Sequence, residues 1–364
     1  MVTRSFAARI ITWQRTHGRH DLPWQNTRDP YRIWLSEIML QQTQVAAVTP
    51  YYLRFVAAFP DVAALARAPV DAVLTHWSGL GYYRRAHHLH AAANAIMVTH
   101  GGRFPRDAAT LATLPGVGRS TAAAISAFAF GAREPILDGN VKRVVARHRG
   151  IAGWPGAPKV EAALWRAAED ALPARDIEAY TQGLMDLGAT VCVRANPHCD
   201  ACPVAVDCVA RTEGRIAELP SPRPRKVLPQ RAIRVLLIER GGEILFEKRP
   251  PLGIWGGLWS LPECALDDDV RTAVHARFGA QVELRDALPS IAHGFTHFAL
   301  TLHPQRVSAA RWPTRAEAPG RMWLTPADAH NAALPAPIKK LLRSLAGKEP
   351  IRRCAPPTEH YRNE

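Results

Sequence analysis

Leu114-Pro115-Gly116-Val117-Gly118-Arg119-Ser120 joins two stretches that read as helices, residues 106–113 and 120–130. Its G-x-G invites a dinucleotide-binding reading. That motif needs a strand before it and a βαβ unit after it, and neither is present. The segment reads instead as a tight turn that presents backbone N–H groups and a helix N-terminus to a phosphate, with Arg119 adding charge. Without a ligand the same turn would be a plain corner between two helices.

Outward from this turn the first half of the chain is helical throughout. Residues 31–46 place Trp34, Leu35, Ile38 and Met39 near the 3.6-residue period. Residues 62–75, 84–100, 141–149 and 160–172 continue the pattern, with Gly and Pro in most gaps. Phe6, Ile10 and Trp13 repeat at helical spacing, so the N-terminus reads as a first helix. Arg4, Arg9 and Arg15 break any signal-peptide core.

Four cysteines follow. Cys192, Cys199, Cys202 and Cys208 have the spacing C-x6-C-x2-C-x5-C, four thiolates within seventeen residues. Such a set suits an iron–sulfur cluster or tetrahedral zinc. Only Cys199 and Cys202 have the C-x2-C spacing of a zinc knuckle, and the wider gaps favour a [4Fe–4S] cubane. Cys264 and Cys354 read as ordinary packed residues.

The segment 211–234 changes character. It holds Pro220, Pro222, Pro224 and Pro229, and seven basic residues against Glu213 and Glu218. It reads as an extended basic linker. Beyond it the period shifts to that of strands at 233–238, 243–246, 297–302 and 322–324, with a hairpin turn at Gly241-Gly242 and helices near 268–278 and 338–345. The expected layout is an all-α domain over 1–210, a linker over 211–231, a smaller α+β domain over 232–348, and a flexible tail over 349–364.

Composition narrows the function classes. The 364 residues carry 46 Lys and Arg against 32 Asp and Glu, a formal charge of +14, with 47% hydrophobic residues. A packed protein this basic is suited to a polyanion. No apolar stretch reaches the ~20 residues of a membrane span, so a cytoplasmic, nucleoid-associated protein is expected.

Two carboxylates stand in apolar surroundings: Glu37 on the 31–46 helix, and Asp138 in Pro135-Ile136-Leu137-Asp138-Gly139-Asn140. Burial raises a carboxyl's pKa, and one protonated acid beside one ionised acid suits glycosidic cleavage. Asp138 also stands where a helix N-cap is needed before Val141.

These residues carry a resemblance. LPW (22–24), WLSEIMLQQTQV (34–45), GLGYYRRA (79–86), LPGVGRSTA (114–122), ILDGNVKRV (136–144), MDLGA (185–189) and the four-cysteine loop resemble the helix-hairpin-helix DNA glycosylase superfamily. Within it, they resemble the A/G-specific adenine glycosylase (MutY) family. PPLGIWGGLWSLPE (250–263) and HGFTHF (293–298) resemble that family's Nudix-like second domain. The resemblance implies a multidomain protein: an all-α glycosylase domain with one [4Fe–4S] cluster, then a smaller α+β recognition domain. It implies excision of adenine opposite 8-oxoguanine or guanine in duplex DNA; a monomer is the default expectation.

It also implies roles. Glu37 matches the general acid that protonates adenine N7. Asp138 matches the carboxylate that stabilises the oxocarbenium-like sugar, with Asn140 supporting it. Trp24, Leu40 and Gln182 match the adenine pocket. Gln42 and Tyr82 match residues that enter the duplex, and Thr43 a contact to 8-oxoguanine. Gly116, Gly118, Arg119 and Ser120 match the phosphate-binding hairpin. Phe295, Thr296 and His297 match the 8-oxoguanine-detecting loop, with Thr296 where the family usually has Ser.

Two departures follow. Lyase-competent relatives of the endonuclease III type carry Lys where this chain has Ser120, so no amine is expected there for a Schiff base, although Lys142 lies four residues after Asp138. The Glu-dense Nudix helix is replaced by Asp267, Asp268, Asp269, Arg271 and His275, so recognition is expected rather than Mg²⁺-dependent hydrolysis. The competing readings are a bifunctional pyrimidine-damage glycosylase/lyase and a non-catalytic DNA-binding scaffold.

Overall fold

Aspartates open many of the helices. The side chains of Asp29, Asp61, Asp107 and Asp138 each accept a backbone N–H from the first turn that follows, at 2.7–2.9 Å. In the structure, a computed structural model, residues 5–224, 227–251, 253–313, 319–345 and 347 are described. They divide into two compact units, Met1–Ala68 with His87–Arg225, and Pro69–Ala86 with Lys226–Glu364. The expected tail over 349–364 and Cys354 lie outside the described residues.

The first unit is helical. It contains α1 (Phe6–His17), α2 (Pro30–Leu40), α3 (Val45–Ala58) and α4 (Val62–Arg67). After α5 (Val70–Trp77), which belongs to the second unit, and α6 (Arg84–Thr99), which starts there, come α7 (Ala108–Leu111), α8 (Arg119–Phe130), α9 (Gly139–Arg149), α10 (Pro158–Asp170), α11 (Ile177–Asp186) and α12 (Val209–Thr212). Ile10, Ala123, Ala127, Val141, Val144, Leu164, Tyr180 and Leu184 form its buried core. The stretch read as one helix over 31–46 ends at Leu40, because Gln41 leaves the helical backbone region (ψ 112°) and Gln42 takes a left-handed one (φ 56°) before α3 begins. The stretch over 62–75 is split in two at Pro69, which has no N–H for a continuing helix. Most of α3 and all of α11 went unread in the sequence.

Within the Pro-rich segment, Leu219 is buried and its carbonyl accepts Arg147 Nε at 2.8 Å.

The second unit is built on a mixed sheet: β1 (Gln230–Arg240), β2 (Glu243–Lys248), β3 (Trp259–Ser260), β4 (Glu263–Cys264), β5 (Gln281–Ala287), β6 (Ile291–Gly294), β7 (Ala299–Arg311) and β8 (Arg321–Leu324). The order is β3-β2-β1-β7-β5, with β4 beside β1, β6 beside β7 and β8 beside β2. The long β1 and β7 run parallel from Gln230↔Ala299 to Glu239↔Ser308. α13 (Val270–Phe278) covers Leu236, Ile238, Leu245 and Val307, and α14 (Pro326–Ala329) and α15 (Ala336–Leu345) complete the unit. The alternation read at 297–302 marks the start of β7, whereas β5 and β6 went unread. Cys264 is half-buried in β4.

Candidate active site

Ile33, Ser36, Glu37 and Leu40 recur at i, i+3, i+4 and i+7 on α2, so they form one stripe. The other stripe, Trp34, Leu35, Ile38 and Met39, is fully buried. The Glu37 stripe lines a cavity of about 600 Å³. Trp24, Phe128, Gln182 and Met185 line it too, so the structure brings Glu37 together with Trp24, Leu40 and Gln182. Trp24 is held by an edge-on contact with Tyr52, centroids 5.3 Å apart. Apolar faces from Trp24, Leu40, Phe128 and Met185 stand beside polar and charged groups such as Glu37, Gln182, Arg19 and Arg28, a mixed wall that suits a flat heteroaromatic base with polar edges.

Glu37 keeps some accessible surface because it lines the cavity, yet protein encloses it. Burial pushes its carboxyl up from 4.5 to about 8, and the Asp138 charge pushes the same way. At neutral pH it is a proton donor.

Asp186, which the sequence reading passed over, is fully buried on α11. It accepts the Arg19 N–H at 2.9 Å and Arg19 Nε at 2.7 Å. It also accepts Gln182 Nε2 at 2.9 Å. Arg19 and Gln182 both line the cavity, so one buried carboxylate orients two of its polar groups.

Asp138 caps α9, its Oδ1 accepting the Val141 N–H at 2.7 Å. Burial raises its carboxyl, while hydrogen bonds from Val141 and Asn140 and the nearby Arg143 charge oppose the rise. The helix N-terminus therefore favours the anion that burial disfavours. Arg143 donates to Asn140 Oδ1 at 2.9 Å, to the Gly188 carbonyl at 2.6 Å and to the Cys192 carbonyl at 2.6 Å. Gly188 makes this approach possible: a Cβ there would stand 2.5 Å from Asn140 Cβ. The Leu137 N–H, just before Asp138, donates to Ser120 Oγ at 2.9 Å. Lys142 Nζ is held by Glu161 Oε1 at 2.6 Å, across from α10.

The hairpin turns through Gly116 at φ 77°, where a Cβ would meet His88 Cβ at 2.8 Å. Gln41 Nε2 donates to the Gly116 carbonyl at 3.2 Å. Gly118 begins α8 with no side-chain cap, which leaves the first-turn N–H groups for an anion. Arg119 lies 3.8 Å over the Trp165 ring and pairs with Glu169 at 2.6 Å, a surface pair it would exchange for a phosphate. Gln42 and Tyr82 are both exposed and both left-handed, at φ 56° and 47°. Non-glycine residues occupy that region where their surroundings hold them. Thr43 is half-buried and donates to the Gln41 carbonyl at 3.3 Å.

Cys192, Cys199, Cys202 and Cys208 line one small pocket with Arg147 and Pro197. Arg147 Nη1 reaches Cys192 Sγ at 3.5 Å, the Val204 N–H points at the Cys202 sulfur, and those of Ala210 and Arg211 at the Cys208 sulfur. Four sulfurs around one pocket, each type of donor aimed at thiolate, fit a cysteine-ligated group. Among the described residues, no three His, Cys, Asp or Glu side chains are placed as the ligands of a single ion. Arg194 and His198 are exposed on this loop.

In the second unit, Gly294 and Ala299 pair at the end of β6 and β7, and residues 295–298 close the turn. Phe298 is buried and Phe295 half-buried, while Thr296 and His297 are exposed at the tip. Asp268 and Asp269 are engaged locally, with the Ala265 and Thr272 N–H groups.

Residues 35–170 match an HhH-GPD superfamily base excision DNA repair protein, and residues 234–344 match a NUDIX domain. An adenine DNA glycosylase of Buchnera aphidicola subsp. Acyrthosiphon pisum is 33% identical over 344 residues, covering 93% of this chain and 97% of its own. The adenine DNA glycosylase of Homo sapiens is 31% identical, covering 95% of this chain and 75% of its own. The solved structure of a thermostable thymine-DNA glycosylase superposes with a TM-score of 0.52 at 31% identity, over 57% of this chain and 95% of that one. No helix among the described residues is long and apolar enough to cross a membrane.

Proposed function

The chain belongs to the adenine DNA glycosylase family, and from that premise we propose the substrate and the part each group plays. The enzyme is a base-excision repair hydrolase of N-glycosyl bonds. Its substrate is adenine opposite 8-oxoguanine or guanine in duplex DNA. The observation that carries this is a raised carboxyl, Glu37, in a cavity walled by Trp24, Leu40, Phe128 and Met185.

The adenine leaves the stack at a cost of a few kcal/mol, offset by the exposed Gln42 and Tyr82 entering the duplex. The hairpin over Gly116, Gly118, Arg119 and Ser120 takes a backbone phosphate. Glu37 donates its proton to N7. The N9–C1′ bond breaks with its electron pair on the base, and the Asp138 carboxylate stabilises the cationic sugar, Asn140 holding it in place. Water adds to C1′ and loses its proton to the ionised Glu37. Thr43, Phe295, Thr296 and His297 recognise the opposing 8-oxoguanine. The Nudix-like domain over 232–348 thus reads the lesion while the domain over 1–210 cuts the bond. Cys192, Cys199, Cys202 and Cys208 would hold a [4Fe–4S] cluster, which would cross-link the loop that carries Arg194 and His198 towards phosphate. A protein with this activity works at the nucleoid.

The test is a duplex with one A opposite 8-oxoguanine, half the product treated with alkali, beside A:T and damaged-pyrimidine duplexes. Cleavage at A only after alkali is expected. Cutting at the damaged pyrimidine with no adenine release would move the chain to the lyase reading.

A further inference from the structure

Trp255 stands at φ 55°, a backbone region that a bulky side chain rarely occupies and that persists only where its surroundings hold it. Here they do. The Arg249 N–H donates to the Leu258 carbonyl at 2.8 Å, the Leu258 N–H to the Trp255 carbonyl at 3.1 Å, and the Gly257 N–H to the Pro250 carbonyl at 3.1 Å. Arg249 Nε donates to the Ile254 carbonyl at 3.0 Å, and the same guanidinium pairs with Glu263 and lies 5.6 Å over the Trp255 ring. Gly256 fits where a Cβ would stand 2.2 Å from the Pro251 carbonyl oxygen.

What this closed turn presents is a nearly buried indole. Its ring meets Phe295 at 5.4 Å and His293 at 5.5 Å between centroids. Phe295 in turn stacks on the buried Phe298 at 4.6 Å and 24°. The Phe295 N–H donates to the Phe298 carbonyl at 2.9 Å. Two phenylalanines therefore anchor the turn whose tip exposes Thr296 and His297, and the half-buried one is backed by Trp255. Tilted aromatic contacts of this kind are directional, so they fix a ring's angle as well as its depth.

We propose that Trp255 is a positioning residue: it sets how Thr296 and His297 are presented, and so the preference for 8-oxoguanine over guanine opposite adenine. The proposal rests on the lesion-reading role given above to the 295–297 loop. The strain at φ 55° has a use on this account, because a relaxed backbone would turn the indole away from Phe295.

The experiment measures single-turnover adenine release from A:8-oxoguanine and A:G duplexes by the full-length enzyme, with Trp255→Ala, Trp255→Phe and His297→Ala. The readout is the ratio of the two rates, which a general loss of folded protein does not move. Trp255→Ala is expected to lower the ratio about tenfold, in the direction His297→Ala moves it, and Trp255→Phe to restore most of it. An unchanged ratio in Trp255→Ala, while His297→Ala collapses it, overturns the proposal and leaves the loop's role intact. An unchanged ratio in His297→Ala overturns the loop's role and the proposal with it.

Discussion

The hydroxyl of Ser120 accepts the Leu137 N–H at 2.9 Å, so the first turn of α8 fixes the stretch of chain that delivers Asp138. The position where lyase-competent relatives carry an amine here has a backbone-binding job. Lys142, the amine near Asp138 in sequence, is tied to Glu161. The wild-type enzyme is therefore expected to release adenine without being trapped by borohydride. Ser120→Lys should give a trapped species and slower adenine release, because the Leu137 N–H loses its acceptor. Trapping of the wild type at the rate of base release would contradict this.

Arg143 joins Asn140, Gly188 and Cys192, and so ties the neighbour of Asp138 to the cysteine loop. Arg143→Ala should lower adenine release by about 10–100-fold, the range seen when outer-shell partners of metal sites are removed, and lower iron content with it. Iron analysis beside single-turnover rates checks it.

Asp186 is fully buried and holds Arg19 and Gln182 together. Asp186→Ala leaves Arg19 without its carboxylate and should cost about 3 kcal/mol in denaturant unfolding. It should weaken substrate binding as well, since Gln182 loses its fixed orientation.

Glu37 costs stability at neutral pH. Its carboxyl is raised from 4.5 to about 8, so between those values the unfolded chain ionises while the folded one keeps its proton. The native state then binds more protons than the unfolded state, and stability falls as pH rises through that window. Glu37→Gln should be more stable than wild type by about 4 kcal/mol near pH 7.5, a difference that vanishes at pH 4. Urea midpoints at the two pH values check it.

The readable parts of this chain are those whose chemistry is local. Glu37 shows itself by standing among Trp34, Leu35, Ile38 and Met39, Asp138 by its place before Val141, and the four cysteines by their spacing. The break after Leu40 goes unmarked because Gln41-Gln42-Thr43-Gln44 holds no Gly or Pro; the backbone, out of the helical region at Gln41 and left-handed at Gln42, ends α2. Strand β5 is exposed at nearly every position and alternates only through Val282 and Leu284 before Arg285-Asp286, too short a run to mark it, and pairing with β7 makes it a strand. Arg19 and Asp186 are 167 residues apart, so their pairing exists only in the folded chain. The support of Phe295 by Trp255 is of the same kind.

The central claim is that Glu37 acts as a protonated acid, and its most direct test is the pH profile of single-turnover adenine release from an A:8-oxoguanine duplex. The rate should fall with rising pH through about 8, where Glu37 loses its proton. In Glu37→Gln the rate should be lower by at least about a hundredfold and that fall should be gone. A wild-type profile flat through pH 9, or a Glu37→Gln enzyme that keeps both the rate and the fall, would contradict the account.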